Sequence, residues 1–283
     1  MERAALARSP GHLSGYFRRV PGRTPGETGS CGAGVVIEEG VVAKAAPSRR
    51  PAVKIISREH LPAGSRLPLI EAAMERLGVS AAVAVESSLP SGAGFGLSAA
   101  ALLSSVSALS ALFDLGLPDR EIAGLAHEIE VTYRTGLGDV AACQGGGIEC
   151  RKGPGIGADI VRIADPGRVI CAVSFGPIPT PSILGDPGRM QRIGEAFPGR
   201  CPRDVDDFFG LSRAFADASG LVTPRVREAL LACDRAGFRA SMTMLGEGVF
   251  ALGGEAAAAL APFGKVRQLH VAGTGFSRGE VIG

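Results

Sequence analysis

The stretch Leu89-Pro90-Ser91-Gly92-Ala93-Gly94-Phe95-Gly96-Leu97-Ser98-Ala99-Ala100 places three glycines at alternate positions just ahead of an apolar run. Glycine has no Cβ, so backbone N–H groups there can converge closely on a ligand. A helix that begins directly afterwards adds unpaired N–H donors and a partial positive charge. Together these features suit the phosphates of a nucleotide. Ser98 falls in the first helical turn, where its hydroxyl can reach a phosphate oxygen or a magnesium ion. Two familiar phosphate signatures are absent: there is no Gly-Lys-[Ser/Thr] ending, and Leu97 after Gly96 breaks the G-x-G-x-x-G spacing. The plain alternative is a tight strand-to-helix turn whose glycines serve packing alone.

Phosphoryl transfer asks little else of a protein: a metal, and a group that orients or deprotonates the acceptor hydroxyl. Two carboxylates downstream are candidates, one in His127-Glu128-Ile129-Glu130 and one in Thr135-Gly136-Leu137-Gly138-Asp139-Val140. Ile122, Leu125, Ala126, Ile129 and Tyr133 form a helical stripe at i, i+3, i+4, i+7 spacing. At 100° per residue Glu130 lies about 80° from Ile122, at the stripe's edge, whereas Glu128 points roughly the opposite way. Glu130 can therefore lean into a site at the core boundary, or serve only as a rim ion-pair partner. Asp139 follows a Gly-Leu-Gly turn; it could act as a base or simply cap the residues after it.

These residues need elements to hold them. Val35-Val36-Ile37 and Val41-Val42-Ala43 around Glu38-Glu39-Gly40 predict a hairpin, and Val53–Ile56 a short strand. A helix is expected over 68–77, stopping at Gly78, then a strand over 82–86 that feeds the glycine loop. Further helices are expected over 97–113 and from Pro118 to the turn at Gly136. A strand follows over 169–174. The Pro- and Gly-rich stretch 176–202 reads as a linker or mobile segment, with helices over 204–218, 224–236 and 239–252 and a last strand near 269–272. That order is α+β, divided into an N-terminal part over 1–165 and a C-terminal part over 166–283.

Composition narrows the function classes. The chain has 283 residues, 46% of them apolar and 20% charged, with a formal charge of +2. That balance offers no electrostatic reason for a nucleic-acid partner, and two Tyr with no Trp provide no stacking platform. No apolar stretch is long and uninterrupted enough to cross a bilayer; the nearest, 97–113, carries five serines. The six cysteines include no C-x-x-C pair, and no signal peptide is evident, so reduced thiols and a cytoplasmic location are expected.

The run from Pro90 to Ala100 resembles the P-x-x-x-G-[LM]-G-S-S-A motif of the GHMP kinases. Pro90, Gly94, Gly96, Ser98 and Ala99 are in register, Phe95 stands where Leu or Met is usual, and Leu97 replaces the first serine. Glu130 and Asp139 resemble that family's Glu followed by a G-x-x-D turn. The resemblance implies a GHMP kinase fold: an N-terminal half like a ribosomal-protein α+β domain, an α+β C-terminal half, and ATP between them. It implies that Pro90, Ser91, Gly92, Ala93, Gly94, Phe95, Gly96, Leu97 and Ser98 bind ATP, that Ser98 and Glu130 hold Mg2+, and that Asp139 is the catalytic base or orienter.

Ser9-Pro10-Gly11-His12, Thr28-Gly29-Ser30-Cys31-Gly32-Ala33-Gly34, Thr135–Val140 and Ser241–Glu247 are similar, in combination, to the archaeal pantoate kinases. That likeness implies pantoate as acceptor on the archaeal route to coenzyme A, with His12, Ser30 and Arg134 as candidates for binding it. A homodimer is compatible with it. The C-terminal glycine loop usual in GHMP kinases is interrupted here, as Ala272-Gly273-Thr274-Gly275-Phe276-Ser277-Arg278-Gly279. Left open are another acceptor (homoserine, mevalonate or a sugar), an ATP-binding regulator without turnover, and a coenzyme A sensor.

Overall fold

A computed structural model describes residues 3–57, 68–178, 183 and 185–283. It opens with a long antiparallel ribbon, β1 (Ala4–Val20) and β2 (Gly29–Pro47). Next come β3 (Ala52–Ser57), α1 (Pro68–Leu77), β4 (Ala81–Ser87), α2 (Leu97–Leu112), α3 (Asp119–Tyr133) and a one-turn helix α4 (Asp139–Ala142). β5 (Ile148–Arg151), β6 (Ile160–Ile163) and β7 (Val169–Pro177) lead to α5 (Pro187–Ala196), α6 (Val205–Ser219) and α7 (Pro224–Arg235). The chain finishes with β8 (Ala240–Met242), β9 (Gly246–Leu252), α8 (Ala257–Leu260), β10 (Val266–His270) and β11 (Glu280–Ile282).

Two sheets organise these elements. The first has the order β11-β1-β2-β4-β3, with β5 paired to β2 and β6 to β5; the second runs β10-β7-β9-β8. Among the described strands only β3 and β4 pair in parallel, across the α1 crossover. α2 is apolar all round and buried along nearly its whole length, lying on β1 and β2 and flanked by α1 and α3. Its serines do not expose it: Ser104 Oγ donates back to the Ala100 carbonyl at 2.7 Å. One core cluster spans both sheets, joining Leu13, Tyr16 and Val35 of the ribbon to Phe208, Phe215 and Phe250. Burial of these side chains is the main force holding the two sheets together.

Several expectations are corrected. The residues around Glu38-Glu39-Gly40 do not turn a hairpin. β2 runs straight through them, and the ladder to β1 skips from Ser9↔Val41 to Gly11↔Ile37. Pro10 sits at that break, where its missing N–H leaves no ladder bond to make, and the extra residues bulge outward. Residues 239–252 form β8, a turn and β9 rather than a helix; Gly246 and Gly248 disfavour a helix, and Val249 and Phe250 suit a buried strand. Within 176–202, Asp186 caps and Pro187 begins the helix α5; residues 179–182 and 184 lie outside the described residues. Cys150 and Cys201 form a disulfide, their Cα atoms 5.6 Å apart, whereas Cys31, Cys143, Cys171 and Cys233 are free and buried. The bond arises because β5 turns Cys150 toward the segment ahead of α6, which is fixed there by Tyr16 donating to the Arg200 carbonyl at 2.9 Å. Among the described residues no helix is long and apolar enough to cross a membrane.

Candidate functional site

The glycine loop links β4 to α2, and all three of its alternate glycines adopt left-handed backbone: Gly92 at φ 73°, Gly94 at 83° and Gly96 at 63°. Residues with a Cβ are strained there, so the spacing reflects backbone shape as well as room. A Cβ on Gly94 would also sit 2.9 Å from the Met244 carbonyl, because the turn between β8 and β9 backs the loop. Gly96 caps α2 without any side-chain hydrogen bond, so no side chain occupies the first-turn N–H groups. Ser91, Gly92, Gly94, Phe95, Gly96, Leu97 and Ser98 face a cleft of about 500 Å3, with Asp139 and Thr135 on its far side and Ile55, Leu69 and Val85 on its apolar wall. Pro90 and Ala93 are not on that wall; Ala93 is buried under the loop.

The two carboxylates meet at the end of α3. Ser98 Oγ donates to Glu130 Oε1 at 2.9 Å, while Glu130 Oε2 is buried without a protein partner. Burial raises the Glu130 pKa, and the nearby Asp139 charge adds to it, lifting it to about 8. Gly136 makes the approach possible: a Cβ there would lie 2.5 Å from Glu130 Cδ and 2.8 Å from Asp139 Oδ2. No group of three or more His, Cys, Asp or Glu among the described residues is arranged to hold a metal. A magnesium ion bound with a nucleotide needs only one or two protein ligands, because phosphates and waters complete its shell. An orphaned buried carboxylate oxygen beside a serine hydroxyl fits that requirement, so Glu130 and Ser98 are the residues that would hold it.

His12 lies behind Asp139 rather than on the cleft wall. It is completely buried, with Nδ1 2.6 Å from Asp139 Oδ1 and Nε2 3.0 Å from Glu149 Oε1. Arg151 Nη1 donates in turn to that same Glu149 oxygen. Burial opposes charge on His12, but the hydrogen bonds and charges of Asp139 and Glu149 outweigh it and leave the imidazole above its ordinary 6.5. For Asp139 burial pushes upward, yet His12 and the Arg151 charge bring the carboxyl below its ordinary value. Gly34 is required here, because any Cβ on it would collide with the His12 ring.

Glu149 and Arg151 were not singled out from the sequence. Their signal was present: Ile148-Glu149-Cys150-Arg151 puts opposite charges two apart in an otherwise apolar strand, on one face. Ser30 is buried on β2. A Cβ on Gly138 would lie 2.6 Å from Ser30 Oγ and 2.7 Å from the partnerless Arg151 Nε, so both donors close around the turn before Asp139. Arg134 caps α3 in left-handed conformation and is exposed. With Arg19, Thr28 and Leu137 it borders a second pocket of about 340 Å3 on the other side of the 134–138 turn.

Comparison with known proteins agrees with this geometry. Residues 66–147 match the model of the GHMP kinases N terminal domain. The chain is 44% identical to a protein named pantoate kinase from Methanospirillum hungatei JF-1, over 93% of this chain and 92% of that one. It is 28% identical to a pantoate kinase from Methanocaldococcus jannaschii, over 86% and 91% of the two chains. Among solved structures, one described as a phosphotransferase related to the CoA biosynthesis pathway superposes with TM-score 0.81 at 25% identity, covering 99% and 98%. A glycine loop ahead of a buried helix, an acid pair at the end of the next, and identity over nearly the whole length show that the chain belongs to the pantoate kinase family of the GHMP kinases.

Proposed function

We propose that the protein transfers the γ-phosphoryl group of ATP to a hydroxyl of pantoate, giving 4-phosphopantoate and ADP on a route to coenzyme A in the cytoplasm. The observation that carries it is Asp139 at the cleft wall, 19% exposed, across from the loop 91–98 and held by His12 from behind. In this reading the backbone N–H groups of the loop and of the first turn of α2 hold the ATP phosphates. Ser98 and Glu130 would hold magnesium, which supplies charge neutralisation at the phosphate oxygens.

Asp139 accepts the hydrogen bond of the acceptor hydroxyl and orients its oxygen. As the new O–P bond forms and the bond from the γ-phosphorus to ADP breaks, the hydroxyl proton passes to the Asp139 carboxylate. A low carboxylate pKa makes Asp139 a weak base but an ever-ready acceptor, so orientation is the larger part of its work. The acceptor's own carboxylate needs donors. Ser30 and Arg151 Nε beside Gly138 supply two, and Arg134 with Arg19 makes the neighbouring pocket cationic. The relatives named pantoate kinase support pantoate over other hydroxy acids.

The test is an assay of ADP and 4-phosphopantoate with ATP, magnesium and D-pantoate, with homoserine, mevalonate and galactose as parallel acceptors. Phosphopantoate from the wild type, reduced roughly 10²- to 10⁴-fold in Asp139→Asn with ATP binding retained, is the expected result. ATP binding without transfer to pantoate would overturn the assignment.

A further inference from the structure

Both His12 contacts are to carboxylate oxygens, and an ionised carboxylate only accepts hydrogen bonds. A neutral imidazole carries one ring proton, so one of the two close contacts would set a lone pair against an anionic oxygen. The Arg151 guanidinium on the same Glu149 oxygen favours an ionised Glu149. Both ring nitrogens must then donate. Around His12 the other elements bring no competing charge: β2 presents Val36 and Gly34, and the start of α2 presents Gly96. The Cys143 thiol nearby donates to the Pro10 carbonyl and is kept neutral by burial. Glu130 lies beyond Asp139, and Arg162 beyond Glu149. Asp139, His12, Glu149 and Arg151 thus form a buried row of alternating charge whose sum is zero.

We propose that His12 is a positioning residue, an imidazolium locked between Asp139 and Glu149 that pins the Asp139 carboxylate toward the acceptor, with Arg151 anchoring the far end of the row. The inference rests on the acceptor-orienting role given to Asp139 above. It separates two jobs often given to one side chain. Asp139 meets the substrate, while its rotamer and charge are set from behind by His12 and Glu149. Leaving any member of such a row unpaired strands a buried charge.

The chain has four histidines, so their side-chain nitrogens can be followed individually by NMR in 15N-histidine-labelled protein, with His12 assigned by the signal missing in His12→Gln. Both His12 nitrogens should remain protonated at pH values where free imidazole is neutral, and in Glu149→Gln the ring should lose its second proton at lower pH. In the same variant kcat should fall on the order of tenfold to a hundredfold as pH rises through neutrality, with the KM for ATP and pantoate changed far less. The wild-type kcat should stay flat over that range. A packing role alone would lower the folded fraction and leave the shape of the pH profile untouched. A neutral His12 ring in the wild type, or a Glu149→Gln enzyme with the wild-type pH profile, overturns the proposal. A doubly protonated His12 in a protein that does not phosphorylate pantoate overturns the acceptor assignment and leaves the clamp standing.

Discussion

At the scale of single residues, the site keeps two carboxylates close together and treats them oppositely. Asp139 has a cation at its back and stays ionised. Glu130, buried with one oxygen unpartnered, has its pKa raised by burial and by the Asp139 charge. The consequence for stability has a definite sign. A carboxyl whose folded pKa stands above its ordinary 4.5 contributes stability that is complete below that value and is lost as pH rises toward about 8. His12, also raised, loses its contribution in the same direction. The metal-free protein should therefore melt at progressively lower temperature between pH 4.5 and about 8, and Glu130→Gln should reduce that slope. Calorimetry of both proteins over that range decides it; an unchanged slope in the variant would show that Glu130 is already ionised. The helical angle of Glu130 revealed its inward lean and the outward one of Glu128, which pairs with Arg76 at the surface. The burial of His12 was not legible: a Pro-Gly-His start looks the same whether the ring meets substrate or is sealed by Gly34 and two strands.

At the scale of elements, the loop proposed to hold the ATP phosphates takes its shape from left-handed glycines and the β8–β9 turn together. Gly94→Ala should cost about 1–2 kcal/mol of backbone strain before any clash with Met244 is counted. It should lower Tm by about 2–5 °C and raise the KM for ATP. Gly116 is the matched control, with φ at 62° and open space around it. Gly116→Ala should lose similar stability and keep its ATP affinity; equal affinity losses in both variants would refute the loop's role. The helices α1 and α3 were legible because apolar spacing and a Pro or Gly boundary agreed with each other, and α2 because a long apolar run stops before Gly116 and Pro118. Residues 239–252 were not. Met242, Leu245, Val249 and Leu252 fall on one side of a helical count, but pairing of β9 with β7 and β8 makes this segment a hairpin. β5 and β6, four residues each, are too short to announce themselves; tertiary contact creates them.

At the scale of the whole molecule, the halves share aromatic packing and one covalent bond. Tyr16 and Phe17 of β1 pack on Phe215 at centroid distances of 6.4 and 5.9 Å, and the Cys150–Cys201 disulfide closes a loop of 51 residues across the same seam. By chain entropy such a loop stabilises by about 4 kcal/mol. Cys201→Ser should accordingly unfold at lower denaturant concentration while retaining kcat, because Cys150 faces away from Glu149 and Arg151. A thiol titration of the denatured, unreduced protein should count four rather than six. The expectation of reduced thiols throughout fails at this pair, since spacing in sequence says nothing of which strands will meet. The C-terminal segment crosses the seam as well: Ala272 pairs with Val36, Phe276 with Cys143 and Ser277 with Arg8, and β11 then lines up beside β1, Ala4 opposite Ile282. On the ribosome this arrangement becomes a matter of timing. At roughly 5–20 residues per second, Ala4–Leu6 at the outer edge of β1 wait on the order of ten seconds to a minute for the strand that covers them. Throughout that interval Ala4–Leu6 have no neighbour on their outer side, an open edge of the kind that invites pairing with another chain.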